Sequence, residues 1–387
     1  MSAKGLVYGV LGPLEVLATG GPVALGTPKQ RAVLALLLMN RNRIVSADSL
    51  VSAVWDGDPV PTARASVHTY VSNIRRLLGT GGARPHTVLA AAPPGYRLNV
   101  PVGQCDLDGF VAAKAAGIRA AAAADFEDAA GHLAGALDCW RGPALADLRD
   151  FVFVEPFATA LAEEKILVHL MRAEAETACG RPESVIGELE ELALEHPYRE
   201  PLWAKLITAY YIAERQSDAL NAHRRLKTVL AEELGIDPGP TVDALYQQIL
   251  RQEPLDIKRV AKATAASTLV TDDAGTMPSA ARAELWGGDG RRYRLDKTTT
   301  RIGRLPDNDV VLDDPDVSRN HAVIIDTGSS FVIADLRSAN GVHLHERRLR
   351  STARLSDGDR IRICDHEFTF NAQDDAGRTG AGPAATA

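Results

Sequence analysis

The sequence has few cysteines, few aromatic residues and no long apolar run. It contains 4 Cys in 387 residues, and aromatic residues make up 5%. The cysteines (Cys105, Cys139, Cys179 and Cys364) form no CxxC pair, which argues against a disulfide framework or a zinc site. The longest apolar run, residues 32–39, is too short to span a bilayer, and the start shows no secretory signal. We therefore expect a cytoplasmic protein with reduced thiols and no bound metal.

The common signatures of catalysis are also missing. The sequence has no GxxxxGK[ST] loop, no HRD/DFG pair, no HExxH and no GxSxG. Residues 287–290, Gly-Gly-Asp-Gly, precede a predicted strand rather than a helix, so they indicate a turn instead of a phosphate-binding loop. An enzyme is therefore disfavoured, and no cofactor is expected.

Charge is distributed unevenly along the chain. The net charge of −7 combines +6 over residues 1–100 (10 basic, 4 acidic), −12 over residues 101–255 (14 and 26) and −1 over residues 283–372 (14 and 15). A basic first domain on an acidic protein suits a local contact with DNA phosphates. Charge alone does not establish such a contact, since many basic domains bind no nucleic acid.

Hydrophobic periodicity divides the chain into a multidomain α+β protein. Residues 1–102 mix short strands with helices, residues 103–254 have helical periodicity throughout, and residues 283–372 alternate in short runs typical of an all-β domain. Residues 255–282 are predicted to form a flexible linker with a reach of about 30 Å. Residues 373–387, rich in Gly, Ala and Thr, are predicted to be a disordered tail.

The first domain is predicted to contain a strand pair, three helices and a hairpin. Helices begin after Thr27 and Ser46, and a hairpin with Pro94-Gly95 at its turn follows the third helix. One face of that helix is apolar. The other face carries hydrogen-bonding and basic residues without an acid, namely Arg64, His68, Thr69, Ser72, Asn73, Arg75 and Arg76. Such a face suits the DNA major groove. The alternative is a small α/β domain whose third helix merely faces solvent.

Several segments of this domain resemble the DNA-binding domain of the SARP family of actinobacterial regulators. They are Leu-Gly-Pro-Leu-Glu-Val from residue 11, Pro-Lys-Gln-Arg-Ala-Val-Leu from 28, Val-Ser-Asn-Ile-Arg-Arg-Leu-Leu-Gly from 71 and Pro-Gly-Tyr-Arg-Leu from 94. The resemblance implies a winged helix-turn-helix of the OmpR type. It also implies that the third helix is the recognition helix and that Arg97, beside the wing, approaches a phosphate or the minor groove.

The middle domain has the spacing of a tetratricopeptide repeat (TPR). Trp203, Leu206, Tyr210 and Ala219 follow the W-x2-L-x3-Y…A pattern, and these residues are expected to be core. The segments at residues 140–145 and 233–240 resemble the bacterial transcriptional activation domain of SARP regulators. The resemblance implies a TPR-like all-α domain that serves in dimerisation, in bracing the winged helix, or in contact with RNA polymerase.

The last domain carries three loop motifs in order: Gly303-Arg304, Ser318-x-x-His321 and Ser338-x-Asn340-Gly341. Together with seven or more short predicted strands, they resemble the forkhead-associated (FHA) domain, a β-sandwich that binds phosphothreonine. The resemblance implies that the ligand is held by Arg304, Ser318, Arg319, Ser338 and Asn340. A guanidinium and a hydroxyl suit a phosphate with three acceptor oxygens. His321 is expected to lock its loop rather than touch the ligand.

The order of the three domains resembles that of mycobacterial regulators in this family. That resemblance implies an activator of arabinosyltransferase genes for the cell wall, which takes its input from the phosphothreonines of a transmembrane Ser/Thr protein kinase. Double-stranded promoter DNA, the kinase and RNA polymerase are the expected partners, and a homodimer is possible. The alternative function is a phospho-dependent scaffold whose winged helix has lost specific DNA binding.

Overall fold

The computed structural model describes residues 5–18, 20–56, 59–79, 84–273, 283–295, 299–306, 308–326, 331–336, 338–349 and 352–372. The chain forms two compact units. The first comprises Met1–Asp108, Arg141–Leu161 and Val270–Ala387, and the second comprises Gly109–Trp140 and Ala162–Leu269. The predicted tail, residues 373–387, lies outside the described residues.

The N-terminal part of the first unit is a winged helix. Its elements are β1 (Val7–Gly9), β2 (Glu15–Ala18), β3 (Gly21–Pro22), α1 (Pro28–Met39), β4 (Ile44–Ser46), α2 (Ala47–Val54), α3 (Ala63–Gly79), α4 (Pro85–Val88), β5 (Leu89–Ala92) and β6 (Gly95–Leu98). Strands β1–β2–β3 form one antiparallel sheet, and a second sheet has the order β4–β6–β5. The predicted order of helices and hairpin is confirmed.

Local side-chain chemistry fixes the starts of the first two helices. Thr27 accepts a hydrogen bond from the backbone N–H of Gln30 at 3.4 Å, and Pro28 occupies the first turn. Ser46 caps α2 in the same way, since its Oγ accepts from Ser49 N at 2.9 Å. Helix α3 buries Val67, Val71, Ile74 and Leu78 at 2% exposure or less, which confirms the predicted apolar face.

The wing differs from the sequence-based prediction in its turn. Pro93 and Pro94 form the turn, whereas Gly95 belongs to β6, so the prediction of a Pro94-Gly95 turn is wrong. Gly95 is needed for a different reason. A Cβ at this position would lie 1.9 Å from the carbonyl oxygen of Val45, so only glycine allows β4 to pair this closely.

Two carboxylates join the first sheet to more distant segments of the same unit. Asp106 accepts hydrogen bonds from the backbone N–H groups of Val10 and Leu11 at 2.9 Å. Asp147 accepts from Leu14 N at 2.7 Å. Because a loop amide removed from water needs a partner, these bonds hold the segment that follows β1 in place.

The second unit is helical. The helices of this region are α5 (Asp106–Ala122), α6 (Phe126–Leu137), α7 (Val154–Ala178), α8 (Glu183–Glu195), α9 (Glu200–Ile212), α10 (Gln216–Leu234), α11 (Pro240–Leu250) and α12 (Ile257–Asp273). Trp203, Leu206, Tyr210 and Ala219 are all buried in one core cluster, as the TPR-like spacing predicts. The indole N–H of Trp203 donates to the carbonyl of Pro197 at 3.0 Å.

Helix α12 corrects the prediction of a flexible linker over residues 255–282. Ile257–Asp273 are helical, and Ala261 and Ala265 are 2% and 1% exposed. Ala261 packs against Phe126 and Ala178. The small and hydroxyl residues of this stretch suggested a linker, but alanine favours helix, and the buried alanines face a partner. Residues 274–282 lie outside the described part of the chain.

The C-terminal part of the first unit is a β-sandwich. Its strands are β7 (Ala283–Gly287), β8 (Arg292–Leu295), β9 (Thr299–Gly303), β10 (Val310–Val311), β11 (Ala322–Asp326), β12 (Phe331–Asp335), β13 (Val342–Leu344), β14 (Arg347–Arg348), β15 (Thr352–Leu355), β16 (Arg360–Ile363) and β17 (His366–Ala372). One sheet has the order β10–β9–β11–β12–β15, and the other has β14–β13–β16–β17–β7–β8. Residues 288–291 connect β7 to β8, so a turn forms where residues 287–290 predicted one.

A buried ion pair lies within the helical unit. The ammonium group of Lys114 contacts the carboxylate of Glu164, and the two side chains are 1% and 4% exposed. Removing one partner of a buried pair is strongly destabilising, because the remaining buried charge loses its counter-charge. We therefore expect Glu164→Ala to lower the free energy of unfolding by about 3–5 kcal/mol, measured by urea denaturation followed by circular dichroism.

The matched control is Glu163→Ala. Glu163 pairs with Arg199 and its side chain is 45% exposed, so its loss should cost less than about 1 kcal/mol. The double variant Lys114→Met/Glu164→Leu should recover most of the stability. Equal small losses for Glu163→Ala and Glu164→Ala would contradict this account of the buried pair.

Candidate phosphothreonine site and nucleic-acid interface

Three loops that connect the strands of the β-sandwich carry the residues predicted to bind phosphothreonine. Arg304 follows the last residue of β9. Ser318 and Arg319 precede β11, and Ser338 and Asn340 lie between β12 and β13. Hydrogen bonds join the first loop to the second and the second to the third, so the structure brings residues from distant parts of the sequence together.

The first and second loops are joined through their backbones. Arg304 N donates to the carbonyl of Ser318 at 3.0 Å, and Leu305 N donates to that of Arg319 at 3.2 Å. A Cβ on Gly303 would lie 2.4 Å from the Arg319 carbonyl oxygen, so this close approach requires glycine. The guanidinium of Arg304 is exposed and its Nε contacts the carbonyl of Val317 at 3.3 Å. The loop thus presents a cation at the surface while its backbone is fixed.

Ser318 joins the second loop to the third. Its Oγ accepts a hydrogen bond from Ala339 N at 3.1 Å, and its side chain is only partly buried. A hydroxyl that accepts one bond still has a proton to donate. Ser318 can therefore donate to an anion that lies beside Arg304. Arg319 is exposed next to it.

His321 has the structural role that the sequence predicted. It is fully buried at 0% exposure. Its Nδ1 accepts from Ser318 N at 3.1 Å, and its Nε2 lies 3.1 Å from the carbonyl of Gly341. A ring that accepts at Nδ1 and donates at Nε2 is the neutral imidazole. One side chain thereby holds the second and third loops at a fixed separation.

In the third loop, Ser338 and Asn340 have different positions. Ser338 is 8% exposed, and its Oγ accepts from Gly341 N at 3.0 Å, so it shapes the loop. Asn340 is exposed, and one of its amide N–H groups donates to the carbonyl of Asp316 at 2.8 Å. Both residues were predicted to bind ligand. The structure presents Asn340 at the surface and turns the hydroxyl of Ser338 inward.

Two polar residues that sequence reasoning did not single out also hold these loops. Asn308 is 6% exposed, and its amide donates to the carbonyls of Leu305 (3.0 Å) and Arg319 (2.8 Å). Asp335 accepts from Ser338 N at 2.8 Å. Asn308 lies in a polar stretch that looks like an ordinary loop, and only its spacing from Gly303 could have marked it. Asp335 is the last residue of β12 and follows an apolar run.

Cys364 lies beside Asn340 at the margin of the site. Its thiol donates to the carbonyl of Asp316 at 3.2 Å, and the amide of Asn340 is 3.7 Å from its sulfur. Partial burial raises the pKa of the Cys364 thiol above its ordinary value. The residue is therefore a neutral packing group here rather than a reactive thiolate.

Three of the predicted DNA-binding residues on helix α3 bond to other elements of the winged helix. Arg64 pairs with Asp48 of α2 at 2.5 Å, although both side chains are more than half exposed. The imidazole of His68 is hydrogen-bonded to the hydroxyl of Tyr96, and Arg75 Nε donates to the carbonyl of Leu89 at 2.8 Å. His68 and Arg75 therefore also connect the helix to the wing hairpin.

The other predicted residues form the outer surface of this helix and the wing. Thr69, Ser72 and Arg76 are exposed on α3, where the Thr69 hydroxyl donates to the carbonyl of Ala65 at 3.1 Å, and Asn73 is half-buried. Arg97 is exposed on β6, the strand that follows the wing turn. The exposed face of α3 has no acidic residue of its own. However, α2 places Asp48 beside Arg64, so one carboxylate lies next to this face.

Two negative findings apply to the described residues. No group of three or more His, Cys, Asp or Glu side chains among them is arranged to hold a metal ion. No helix within the same residues combines the length and apolar character that a bilayer span requires.

Comparison with known families finds three matches that cover most of the chain. Residues 20–98 match the family "Transcriptional regulatory protein, C terminal". Residues 105–250 match the bacterial transcriptional activator domain, and residues 300–364 match the FHA domain. The predicted winged helix, helical domain and FHA sandwich are confirmed in this order.

Individual relatives are transcriptional regulators. The transcriptional regulatory protein EmbR of Mycobacterium tuberculosis is 61% identical over 370 residues, which cover 95% of each chain. The regulator MoaR1 of the same organism is 52% identical over 256 residues, or 66% of this chain and 82% of that protein. The regulatory protein DnrI of Streptomyces peucetius is 30% identical over 250 residues, or 63% and 92%. The prediction that the chain is not an enzyme is therefore confirmed.

A solved structure agrees over the whole architecture. The structure of Mycobacterium tuberculosis EmbR in complex with a low-affinity phosphopeptide has a TM-score of 0.90 and 60% identity, and the match covers 97% of this chain and 99% of that one. The winged helix, the activator domain and the FHA sandwich thus resemble those of one protein in both sequence and fold. The chain belongs to the EmbR family of transcriptional regulators.

Proposed function

We propose that this protein is a DNA-binding transcription regulator whose FHA domain binds the phosphothreonines of a Ser/Thr protein kinase. The observation that carries the proposal is the set of three joined loops, which presents Arg304, Ser318 and Asn340 at the surface of a domain that shares its compact unit with the winged helix. The relative EmbR, whose structure was solved with a phosphopeptide, supports the same ligand class.

Phosphate recognition follows from charge and geometry. A phosphothreonine carries about −1.5 to −2 charges and three acceptor oxygens. Arg304 supplies charged donors, Ser318 a hydroxyl proton, and exposed Arg319 a second guanidinium. Asn340 contacts the peptide backbone next to the phosphothreonine, and Ser338 acts by shaping the loop that carries Asn340. Because the backbones of the loops are already hydrogen-bonded, little ordering is required on binding.

In the proposed complex with DNA, helix α3 lies in the major groove. Thr69, Ser72, Asn73 and Arg76 read base edges or phosphates, with Arg97 on the adjoining strand. Arg64, His68 and Arg75 belong to the same surface, but each also has a partner within the winged helix. The +6 charge of residues 1–100 attracts the duplex, while the acidic middle of the chain repels non-specific polyanion.

The regulatory sequence of events is part of the proposal. A kinase phosphorylates itself, its phosphothreonine docks on the FHA domain, and the regulator is itself phosphorylated. The affinity for promoter DNA then rises, either through a changed domain arrangement, to which docking contributes, or through dimerisation. The modified threonines lie outside the winged helix, because added negative charge there would repel DNA. By resemblance, the target genes encode arabinosyltransferases of the cell wall, the helical domain contacts RNA polymerase or a second copy, and the protein acts in the cytoplasm.

The first test replaces the central guanidinium. Loss of a charged hydrogen bond costs about 1.5–3 kcal/mol, so Arg304→Ala should weaken phosphopeptide binding by roughly tenfold to over a hundredfold. The measurement is fluorescence anisotropy of the full chain with a phosphothreonine peptide library and its unphosphorylated counterpart. Arg291→Ala, at the β7–β8 turn with a side chain 73% exposed, is the matched control. Unchanged affinity in Arg304→Ala would remove the phosphothreonine assignment.

The second test addresses DNA. Arg76→Ala should weaken binding to a cognate duplex by about tenfold or more, and it should reduce the salt dependence by about one counterion if the contact is a phosphate. Arg251→Ala is the control, since Arg251 is 67% exposed and lies next to α11 in the helical unit. Binding that is weak, blind to sequence and insensitive to Arg76→Ala would instead favour the phospho-dependent scaffold.

A further inference from the structure

A cleft of about 850 Å³ lies within the first compact unit, between the winged helix and the β-sandwich. One side of the cleft comes from the winged helix and from residues 152–156. Its apolar members include Leu36, Met39, Ile44, Val152 and Phe153, and its polar members include Asn40, Ser46, Ser49, Ser52 and Asp56. The opposite side comes from the β-sandwich, where Leu305, Pro306, Val323 and Leu336 line the cleft together with Arg301, Asp309, Ser318, Arg319 and Asn320. Both sides therefore offer apolar surface with polar groups among it, which suits an amphipathic peptide.

The cleft is continuous with the proposed phosphothreonine site. Ser318 and Arg319 belong both to that site and to the cleft lining. Leu305 and Pro306, the two residues after Arg304, also line the cleft. Successive residues of a peptide are 3.8 Å apart, so a chain that leaves a phosphate held by Arg304 and Ser318 reaches the cleft within a few residues.

The winged-helix side of the cleft offers surface that an extended peptide could cover. Ile44 and Val152 are large apolar residues with 48% and 53% exposure. Ile44 belongs to β4, which is the outer strand of its sheet. An outer strand can pair with an added extended chain, and exposed apolar side chains gain by burial against a partner.

We propose that this cleft binds the residues that flank the phosphothreonine in the partner protein, so that one phosphopeptide contacts the FHA domain and the winged helix together. The proposal rests on the phosphothreonine recognition proposed above. The occupant is a peptide whose flank carries apolar side chains, because the cleft shares Ser318 and Arg319 with the phosphate site and exposes Ile44 and Val152 on its other side. The winged helix would then contribute to the choice of partner.

Photo-crosslinking of the full chain tests this placement directly. The probe is a pool of phosphothreonine peptides with randomised flanks, each with one p-benzoylphenylalanine a few residues from the phosphothreonine, and the crosslinked residues are mapped by mass spectrometry. We expect phosphate-dependent crosslinks to residues 36–56 or 152–156. Phosphate-dependent crosslinks confined to residues 283–372 would overturn the cleft proposal and leave the proposed function intact.

An affinity measurement provides the second readout. Ile44→Glu and Val152→Glu should weaken binding of long-flanked phosphopeptides selected from the pool by about tenfold, because each removes apolar surface worth that factor. Peptides trimmed to the residues next to the phosphothreonine should bind all variants equally. Val60→Glu is the matched control, since Val60 is 49% exposed in the winged helix but does not line the cleft.

The outcomes separate the two proposals. Equal affinity of the long peptides for wild type, Ile44→Glu and Val152→Glu would contradict the cleft proposal. If neither long nor short peptides need their phosphate, or if Arg304→Ala binds both normally, the proposed phosphothreonine function fails and the cleft proposal fails with it.

Discussion

Strand β9 contacts the loop of Ser318 and Arg319 at one end and the winged helix at the other. Its last residue, Gly303, leads directly into Arg304 and packs against the Arg319 carbonyl. Its first half contacts the winged helix, since Thr299 donates to the side chain of Asn40 at 3.4 Å and Arg301 donates to the hydroxyl of Ser49 at 2.6 Å. Ser49 lies in the first turn of α2, beside its cap Ser46. A displacement of β9 would therefore move both the loop that carries Arg304 and helix α2.

This constraint gives the two proposed binding activities a common mechanical basis. The cleft beside β9 contains residues of both domains, and His321 fixes the loops that border it. A ligand that contacts both sides would change the relative free energies of their arrangements, which is how one site affects another. Within the first unit, the strand that leads into Arg304 also donates a hydrogen bond to Ser49 of the winged helix.

Features of the fold that depend on neighbouring residues could be predicted from the sequence. The caps Thr27 and Ser46, the buried face of α3 and the structural role of His321 each follow from residue type and spacing, and the structure confirms them. The FHA loops could be placed because their motifs lie at the ends of alternating strands. The misread segments had ambiguous local signals. Ile257–Asp273 combines helix-forming alanine with linker-like Ser and Thr, and only the packing of Ala261 decides between them.

Contacts between distant residues could not be predicted from periodicity. Arg301 and Ser49 are 252 positions apart, and nothing in either local pattern points to the other. The same holds for the pairing of Arg64 with Asp48 and for the inward turn of the Ser338 hydroxyl. These contacts determine which predicted site residues are presented to a ligand and which maintain the surface. The comparisons support the fold and family, whereas the role of each site residue depends on these contacts.

The most direct measurement of the account is the thermodynamic coupling between DNA and phosphopeptide on the full chain. The affinity for a labelled promoter duplex would be measured by anisotropy with and without saturating phosphothreonine peptide, and the peptide affinity with and without DNA. The account predicts that the peptide raises DNA affinity by a factor within the roughly 5–150-fold range of typical coupling, and that DNA raises peptide affinity by the same factor. Two affinities that are each unchanged by the other ligand would contradict it.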